Sequence, residues 1–384
     1  MRFYYGLLLT GLSVFALEYA PQPMYNAISA EFGVDRSTTG LLVSICLLSL
    51  TISPLFVGVV LNRVGVRRAL LWAACMLGLS GAGLLAARSF PQLLAVRSFQ
   101  AALIPVVLTS VITAISFLFR HLDLKRALAG YITASLTGSL LARVGGGLAG
   151  QYLGWRPIVI MPCILFLAGA WLVRDLPESP HHSSGIHNLK DYAALLRQPG
   201  IATILFAEAC GMFAFGALGN LLPFRMAELG HGNGGRIGLM YASYSIGLVA
   251  SVSLRPLRRL FGGTSRLLLF GMGFFMLAAI PTAFPSGRIL FCGMWLVAFG
   301  QFLVHAMCPG LVSSLAARSG KCERSMVSGL FLSCAYLGCM LGSFAPGILY
   351  GRLGWMACYA CIQTVLVLGF AAVLPLCARK GALD

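Results

Sequence analysis

Charged side chains are scarce in this sequence. Only 10% of its 384 residues are Asp, Glu, Lys or Arg, and 58% are hydrophobic, whereas soluble domains contain about a quarter charged residues. The mean hydropathy is +0.86. A soluble globular protein is excluded because no soluble core needs so much apolar surface. An intrinsically disordered chain is excluded because disorder requires low hydrophobicity.

Polar residues are also missing from long stretches of the chain. Runs of about 20 apolar residues predict membrane-spanning helices. Because hydrocarbon offers no partner to unpaired backbone groups and the period-two alternation of a barrel is absent, the predicted fold is an all-α integral membrane protein with twelve transmembrane helices. The predicted spans, numbered 1 to 12, cover residues 4–27, 38–61, 69–87, 93–118, 128–152, 157–173, 201–224, 237–254, 267–284, 289–317, 326–350 and 356–377.

Acidic residues are the scarcest charged group, with 11 Asp and Glu against 28 Lys and Arg and a net charge of +17. When the N-terminus is taken as cytoplasmic, nineteen Lys and Arg fall on the cytoplasmic side of the spans and seven on the opposite side. This positive-inside bias predicts that both termini are cytoplasmic. The net charge therefore indicates membrane topology and affinity for anionic lipid, and it does not indicate a nucleic-acid partner.

The sequence contains an internal repeat. The segment "TGSLLARVGGGLAGQYLGW", which begins at Thr137, aligns without a gap with "LGCMLGSFAPGILYGRLGW", which begins at Leu337. Three glycines and the final tryptophan coincide, which apolar bias alone does not explain. The repeat predicts two parallel six-helix halves, residues 1–173 and 201–384. Parallel halves with a ligand site at their interface describe one known transporter architecture.

Residues 174–200 between the halves form the longest polar stretch and are rich in Pro, His and Ser. We interpret them as a cytoplasmic linker with a surface helix from Leu189 to Arg197. His181, His182 and His187 are possible metal ligands, but a solvated linker is the favoured interpretation. We therefore predict no metal site and no cofactor.

The segment "GVVLNRVGVRRAL", from Gly58 to Leu70, resembles the loop motif G-x-x-x-D-R-x-G-R-R/K of the major facilitator superfamily. Asn62 replaces the motif's Asp and Val66 replaces a basic residue. The resemblance implies a tight cytoplasmic turn whose arginines contact helix ends and acidic groups of the other half, with a gate weakened by the uncharged Asn62. The implied gate residues are Gly58, Asn62, Arg63, Gly65, Arg67 and Arg68.

Spans 4 and 5 carry further resemblances. "RSFQAAL", starting at Arg97, is similar to the superfamily's R-x-x-Q-G motif, and span 5 follows a glycine-rich exporter pattern with Ala142-Arg143 in place of Gly-Pro. "YITASLTGSLLARVGGGLAGQYLGWRP" and "QPMYNAISAEFGV" resemble a YnfM-like, proton-antiporting efflux branch. The superfamily resemblance covers the whole chain, whereas the branch resemblance rests mainly on spans 1 to 5. Together they imply a monomeric transporter whose partners are a small molecule and protons.

Four charged residues lie deep in predicted spans, where an arginine costs roughly 2.5–3.5 kcal/mol on insertion scales and needs a partner or a water-filled cavity. We predict that they couple transport to protons, because burial and opposite charges shift protonation in opposite directions. Arg97 has an alternative, which is to extend toward the outer face, and Glu208 has one as well, which is to bind a cationic substrate. The predicted proton-coupling residues are Glu18, Arg97, Arg143 and Glu208.

Polar and aromatic residues share faces with these charges. In the superfamily, spans 1, 4, 7 and 10 line the central cavity, and positions i+4, i+7 and i+8 from Glu18 are polar on one helix face. His305 in span 10 is either a titratable group or a hydrogen-bonded spacer, and the aromatic residues have core packing as their alternative. The predicted substrate-cavity residues are Gln22, Tyr25, Asn26, Gln100, Met212, Phe215, Gln301 and His305.

These features favour proton-driven export of a small organic molecule across a bacterial inner membrane. One alternative is proton-coupled uptake of an organic anion or metal chelate, with Arg97 and Arg143 binding a carboxylate. A membrane receptor or scaffold is disfavoured by the intramembrane carboxylates. An enzyme is disfavoured because the sequence has no phosphate loop, no paired metal ligands at helical spacing and no nucleophile beside a base.

Overall fold

A computed structural model describes residues 2–53, 57–119, 121–178, 189–198, 200–318 and 324–378. Every regular element within these ranges is helical. Ten helical segments in them are long and apolar enough to cross a membrane. Predicted spans 2 and 5 are helical as well but are not among the ten, and Arg36–Ile52 of span 2 is a shorter apolar helix. The predicted all-α membrane fold is confirmed.

The first six predicted spans correspond to nine helices. Their bounds are α1 (Arg2–Tyr19) and α2 (Tyr25–Phe32) for span 1, α3 (Arg36–Ile52) and α4 (Val57–Val64) for span 2, α5 (Val66–Ala86), α6 (Phe90–Leu118), α7 (His121–Leu140) and α8 (Gly146–Leu153) for span 5, and α9 (Trp155–Val173). The surface helix predicted in the linker is confirmed as α10 (Leu189–Leu196). His181, His182 and His187 lie outside the described residues.

The last six predicted spans correspond to seven helices. Their bounds are α11 (Ile201–Glu228), α12 (Gly234–Tyr241) and α13 (Ile246–Phe261) for span 8, α14 (Thr264–Ala278), α15 (Gly287–Arg318), α16 (Arg324–Leu353) and α17 (Trp355–Ala378). The ends differ from the predicted ones by a few residues, mostly because the helices extend beyond the apolar run into polar sequence.

Two spans are interrupted beside residues of interest. Pro21 and Pro23 have no backbone N–H to donate, so α1 ends at Tyr19 and a 3-10 turn, Gln22–Met24, precedes α2. Span 5 changes into a π-helical turn, Leu141–Gly145, between α7 and α8. The proline break follows from the sequence. The π-turn was not predicted, although such turns are frequent at functional sites.

The internal repeat has a structural counterpart in the way glycines pack. A Cβ atom added at Gly138 of α7 would overlap the backbone of Leu12 in α1, and one added at Gly338 of α16 would overlap the backbone of Ala209 in α11. Only glycine permits so close an approach of two helices. The aligned residues of the repeat therefore make equivalent contacts within their own halves.

The described part of the chain divides into two compact units. The first comprises Met1–Asp35, Leu41–Ile186 and Gly232–Leu239, and the second comprises Arg36–Gly40, His187–His231 and Met240–Asp384. The second unit has a hydrophobic core that includes Leu205, Met272, Val304 and Leu311, all nearly inaccessible to solvent. Each unit also holds a cluster of polar residues in its interior.

Candidate functional site

Glu18 lies in the interior of the first unit, near the end of α1. Its side chain is completely buried. Tyr19 is its hydrogen-bonding neighbour, and the charges of Arg143 and Arg97 also act on the carboxyl group. An ionised carboxylate is costly in such a place, so this group is suited to binding and releasing a proton.

Arg97 of α6 is buried, with only 2% of its surface exposed, so its head group does not reach a membrane surface in this structure. Its Nη1 donates to the Leu17 carbonyl at 3.1 Å and to Gln100 Oε1 at 2.8 Å. The Leu17 carbonyl is available because its helical partner four residues on is Pro21, which has no N–H. The further acceptors of the guanidinium are the carbonyls of Leu42 and Glu18 and the sulfur of Cys46.

Arg143 is placed by the π-turn of span 5. Its Nε donates to Gln22 Oε1 at 2.7 Å, and its guanidinium lies 3.6 Å from the centre of the Tyr19 ring. A further hydrogen bond joins it to Ser139, one turn earlier in α7. The arginine is thus held by two residues next to Glu18 in sequence, Tyr19 and Gln22. Tyr19 and Ser139 were missed in the sequence, although Ser139 stands at i−4 from Arg143.

The remaining first-unit cavity candidates are held by contacts within this unit. Gln100 Nε2 donates to Ser80 Oγ at 2.7 Å, so Gln100 bridges Arg97 to α5. Asn26 Nδ2 donates to the Gly232 carbonyl at 3.4 Å, and Tyr25 is fully buried. Their proposed contact with substrate stays a prediction.

The second unit contains a buried acid–base pair. Nδ1 of His305 in α15 lies 2.6 Å from Oε1 of Glu208 in α11. Glu208 is fully buried, whereas the His305 side chain is surrounded by protein yet keeps 34% of its surface accessible. The imidazole is therefore the accessible member of the pair. This pairing was not predicted, since the sequence places the two residues 97 positions apart.

Gln301 lies one turn before His305 on α15. Its side-chain oxygen and nitrogen are both buried and have no hydrogen-bond partner among the described residues. Gly211 of α11 faces it, and a Cβ atom there would lie 2.5 Å from Gln301 Oε1. Glu208 Oε2 is likewise buried without a partner by the same geometry. Buried polar atoms in this state are rare, and each can form a hydrogen bond with a ligand or a water molecule.

Three aromatic rings of the second unit lie close together, and we call them the aromatic cluster. They are Phe215 of α11, Phe302 of α15 and Tyr244 of the 3-10 turn Ala242–Ser245 that precedes α13. The Phe215 ring centre lies 4.6 Å from that of Tyr244 and 5.5 Å from that of Phe302. Phe215, Phe302 and the neighbouring Met212 are half-buried, so ring surface remains for a ligand. Phe302 was missed in the sequence, although it follows Gln301 directly.

The loop motif forms the tight turn that the sequence predicted. Gly65, with a φ of 87°, separates α4 from α5. Arg67 donates to the Arg174 carbonyl beyond the end of α9, at 2.6 and 3.1 Å, and Arg68 lies 3.9 Å from Glu178. These contacts are with a helix end and an acid of the first unit. Gly58, Asn62 and Arg63 lie in α4, and the gating role of the motif stays a prediction.

A metal centre finds no support in the described ranges, because no group of three or more His, Cys, Asp or Glu in them is placed to hold an ion. The linker histidines are outside those ranges. The side chains of the two polar clusters can exchange protons, form hydrogen bonds and form ion pairs.

Comparison with other sequences identifies relatives over nearly the whole chain. The profile of the Major Facilitator Superfamily matches residues 7–322. The inner membrane transport protein YnfM of Escherichia coli (strain K12) is 24% identical over 375 residues, which cover 96% of this chain and 88% of that protein. The 3-(3-hydroxy-phenyl)propionate transporter of the same strain is 24% identical over 374 residues, which cover 92% and 89%.

Solved structures show the same fold. The nucleoside transporter NupG has a TM-score of 0.77 at 13% identity, covering 97% of this chain and 99% of that one. A bacterial homologue of the human lysosomal transporter Spinster, in an inward-facing and occupied conformation, has a TM-score of 0.70 at 15% identity and covers 98% and 96%. At these identities the likeness concerns the fold alone.

Proposed function

We propose, since this chain belongs to the major facilitator superfamily, that it exports a small organic molecule from a bacterial cytoplasm in exchange for protons. Membership makes the protein a multi-pass membrane transporter, and its relatives are transporters rather than enzymes. We propose the substrate class, the direction of transport and the coupling to protons in addition to what family membership gives.

The single observation that carries the proposal is the state of Glu18. A fully buried carboxyl group that forms no ion pair of short distance is more stable with its proton than without it. Arg143 and Arg97 oppose this tendency, because a nearby positive charge favours the ionised form. The balance lets Glu18 take up a proton from the outer side and release it inside as the transporter changes conformation.

The contacts of Arg143 link this proton to the substrate. Arg143 is held against Tyr19, which follows Glu18 at the end of α1, and Gln22 in the 3-10 turn after it. When Glu18 loses its proton, its negative charge attracts the guanidinium and competes with these contacts. The proton at Glu18 therefore controls the position of the groups that we propose contact the substrate. Exchange of a proton for a substrate requires such control.

We also propose that both termini are cytoplasmic and that the Gly65 turn lies at the cytoplasmic surface. The support is the excess of Lys and Arg on that side of the spans. In this orientation the Arg67 contact with the end of α9 and the Arg68–Glu178 pair lie where the substrate enters from the cytoplasm.

The test compares intact cells that make wild-type protein, Glu18→Gln or Asp175→Asn at matched membrane levels. Asp175→Asn is the control because it removes a carboxylate that is 56% exposed. Metabolites and a panel of toxic compounds are measured inside and outside the cells, with and without a protonophore. We expect a compound that is depleted inside wild-type and Asp175→Asn cells only while the proton gradient is intact, and that Glu18→Gln cells retain.

Two results would contradict the proposal. Depletion that continues after the protonophore is added would show that export does not use the proton gradient. Equal depletion by Glu18→Gln and wild type would show that Glu18 is not the coupling group.

Proton-coupled uptake of an organic anion is the second candidate. It is favoured by the buried Arg143, whose guanidinium is suited to a carboxylate, and by the relative that is a 3-(3-hydroxy-phenyl)propionate transporter. The same experiment distinguishes the two, because uptake would make wild-type cells accumulate the compound that export would deplete.

A further inference from the structure

We propose that Glu208, Gln301 and the aromatic cluster of the second unit bind a protonated primary amine with an aromatic or apolar body. The inference rests on the proposed function in one respect: the amine is the class of molecule that the transporter would move. Its binding is a separate property and is tested separately below.

The acceptor atoms match an ammonium group. Primary ammonium carries three N–H donors and no acceptor. Glu208 provides Oε1 and Oε2. Gln301 provides its Oε1, which lies against Gly211, one turn after Glu208 on α11. Two of these three oxygens, Glu208 Oε2 and Gln301 Oε1, have no hydrogen-bond partner among the described residues. Cys308 also lies beside the carboxylate, but a thiol is only a weak donor.

The charge of the surroundings favours a cation. Glu208 forms no ion pair with Arg or Lys within the described part of the second unit, and its ion-pair partner there is His305. Arg225, a buried arginine of this unit, is paired with Glu228. A ligand that brings positive charge to Glu208 therefore meets a buried carboxylate that no arginine or lysine of the described second unit neutralises. The same carboxylate would repel an anionic ligand.

The length of the site follows from the positions of its residues along α11. Glu208 faces His305, Gly211 faces Gln301, and Phe215 faces Phe302. Seven residues separate Glu208 from Phe215, which is about 10 Å along a helix. An amine held at Glu208 thus reaches the aromatic cluster with a body of about that length.

Gly211 keeps the middle of the site free of side chains. A Cβ atom at this position would displace the Gln301 amide, because it would lie 2.5 Å from Oε1. Aromatic rings at the far end bury an apolar or aromatic body and attract a cation that passes over their faces. Along α11, Glu208 therefore binds the ammonium group, Gly211 leaves space for the linking chain, and Phe215 contacts the apolar or aromatic body of the amine.

His305 controls access to the carboxylate. Its side chain is the accessible member of the pair, and Glu208 is fully buried behind it. An ammonium group reaches Glu208 by replacing the imidazole N–H at Oε1. The exchange keeps a donor on the carboxylate at every stage, so the buried charge is never left without a partner.

The test measures binding to purified full-length protein by isothermal titration calorimetry. The probes are 4-phenylbutylamine, 4-phenylbutanol and 4-phenylbutyric acid, which share one carbon skeleton and differ in charge. We expect the amine to bind wild type at least about tenfold more tightly than the alcohol, as a charge-assisted hydrogen bond predicts, and the acid to bind most weakly. Equal or tighter binding of the acid or the alcohol would overturn the inference.

Variants locate the site. Glu208→Gln is expected to lose at least about tenfold in amine affinity while its affinity for the alcohol stays within about twofold. Glu228→Gln is the matched control, because it removes the same group from a partly exposed ion pair, and it should bind the amine like wild type. Amine binding that survives Glu208→Gln would overturn the inference. If Glu208→Gln does not fold, the three-probe comparison on wild type decides alone.

Failure of this inference is distinguishable from failure of the proposed function. An amine that binds to a protein that moves no compound under a proton gradient would support the site and contradict proton-coupled export. Gradient-driven export of some other compound, without amine binding, would support export and overturn the site.

Discussion

Arg97 donates to the backbone carbonyl of Glu18, with Nη2 at 3.2 Å from the oxygen, and not to the carboxylate of that residue. The guanidinium is occupied by carbonyls of α1 and α3 and by Gln100. Any influence of Arg97 on proton coupling therefore acts through its charge, whereas its hydrogen bonds hold helices together.

Replacing Arg97 by Met should destabilise the protein by about 2 kcal/mol or more, because the Leu17 carbonyl, which Pro21 leaves unpaired, loses its donor in a buried place. Thermal unfolding in detergent measures this. Arg88→Gln is the control, since Arg88 is exposed near the start of α6 and carries the same charge. Equal unfolding temperatures for Arg97→Met and wild type would show that these hydrogen bonds contribute little.

Alanine at Gly138 or Gly338 should destabilise the protein by about 3 kcal/mol, the upper end of the range for overpacking, because the added Cβ meets backbone that has nowhere to move. The two variants should have similar effects, since Leu12 and Ala209 are contacted in the same way. Gly351→Ala, in α16 as well, is the control because nothing lies within 4 Å of its added Cβ. Folded yield and unfolding temperature are the measurements, and a mild effect at one glycine alone would contradict the equivalence.

Leucine at Tyr19 should reduce transport more than phenylalanine does. Arg143 lies 3.6 Å from the centre of the Tyr19 ring, and Phe keeps this cation–π contact while Leu removes it. The contact is worth about 0.5–2 kcal/mol, so the two variants should differ by about 2- to 30-fold in initial rate. The assay uses the compound identified by profiling wild-type cells. Identical rates for Tyr19→Leu and Tyr19→Phe would show that the ring face does not position Arg143.

Reporter fusions should place the C-terminus in the cytoplasm and the segment between α5 and α6 outside it. Green fluorescent protein fused after Asp384 should fluoresce, and alkaline phosphatase fused after Ser89 should be active, because the positive-inside bias orients the spans this way. Alkaline phosphatase fused after Asp384 serves as the matched control and should be inactive. The opposite pattern at either site would reverse the proposed orientation.

Most of the helical framework was predictable from the sequence because apolar runs and prolines act locally. The surface helix in the linker was predicted, and the break of span 1 follows from the missing N–H groups of Pro21 and Pro23. The extension of α11 to Glu228 was not predicted, because hydropathy does not distinguish a polar helix end from a loop.

The partners of the buried polar residues were not predictable from one sequence. Whether Glu208 meets His305 depends on the rotation of two helices about their axes, which the apolar pattern of helices buried on most sides does not define. The π-turn at Arg143 is a second such case, because its local sequence differs little from an ordinary helix. The first-unit arginines were singled out correctly as buried, but their acceptors became visible only in the structure.

The glycine contacts of α7 and α16 also relate the first helix of one half to the first helix of the other. Leu12 and Ala209 are equivalent by these contacts, so α11 repeats α1 with a displacement of 197 residues, the separation of Leu12 from Ala209. The AEFG and AELG segments at the ends of α2 and α11 have the same displacement.

In this register the two copies differ at their acids. Glu18 has Phe215 as its counterpart, and Glu208 has Gly11. Each copy thus lacks the carboxylate that the other one has. A chimaera made of two first halves would contain two Glu18 carboxylates and neither Glu208 nor Phe215, so a single chain with two unlike halves is needed to combine both sites.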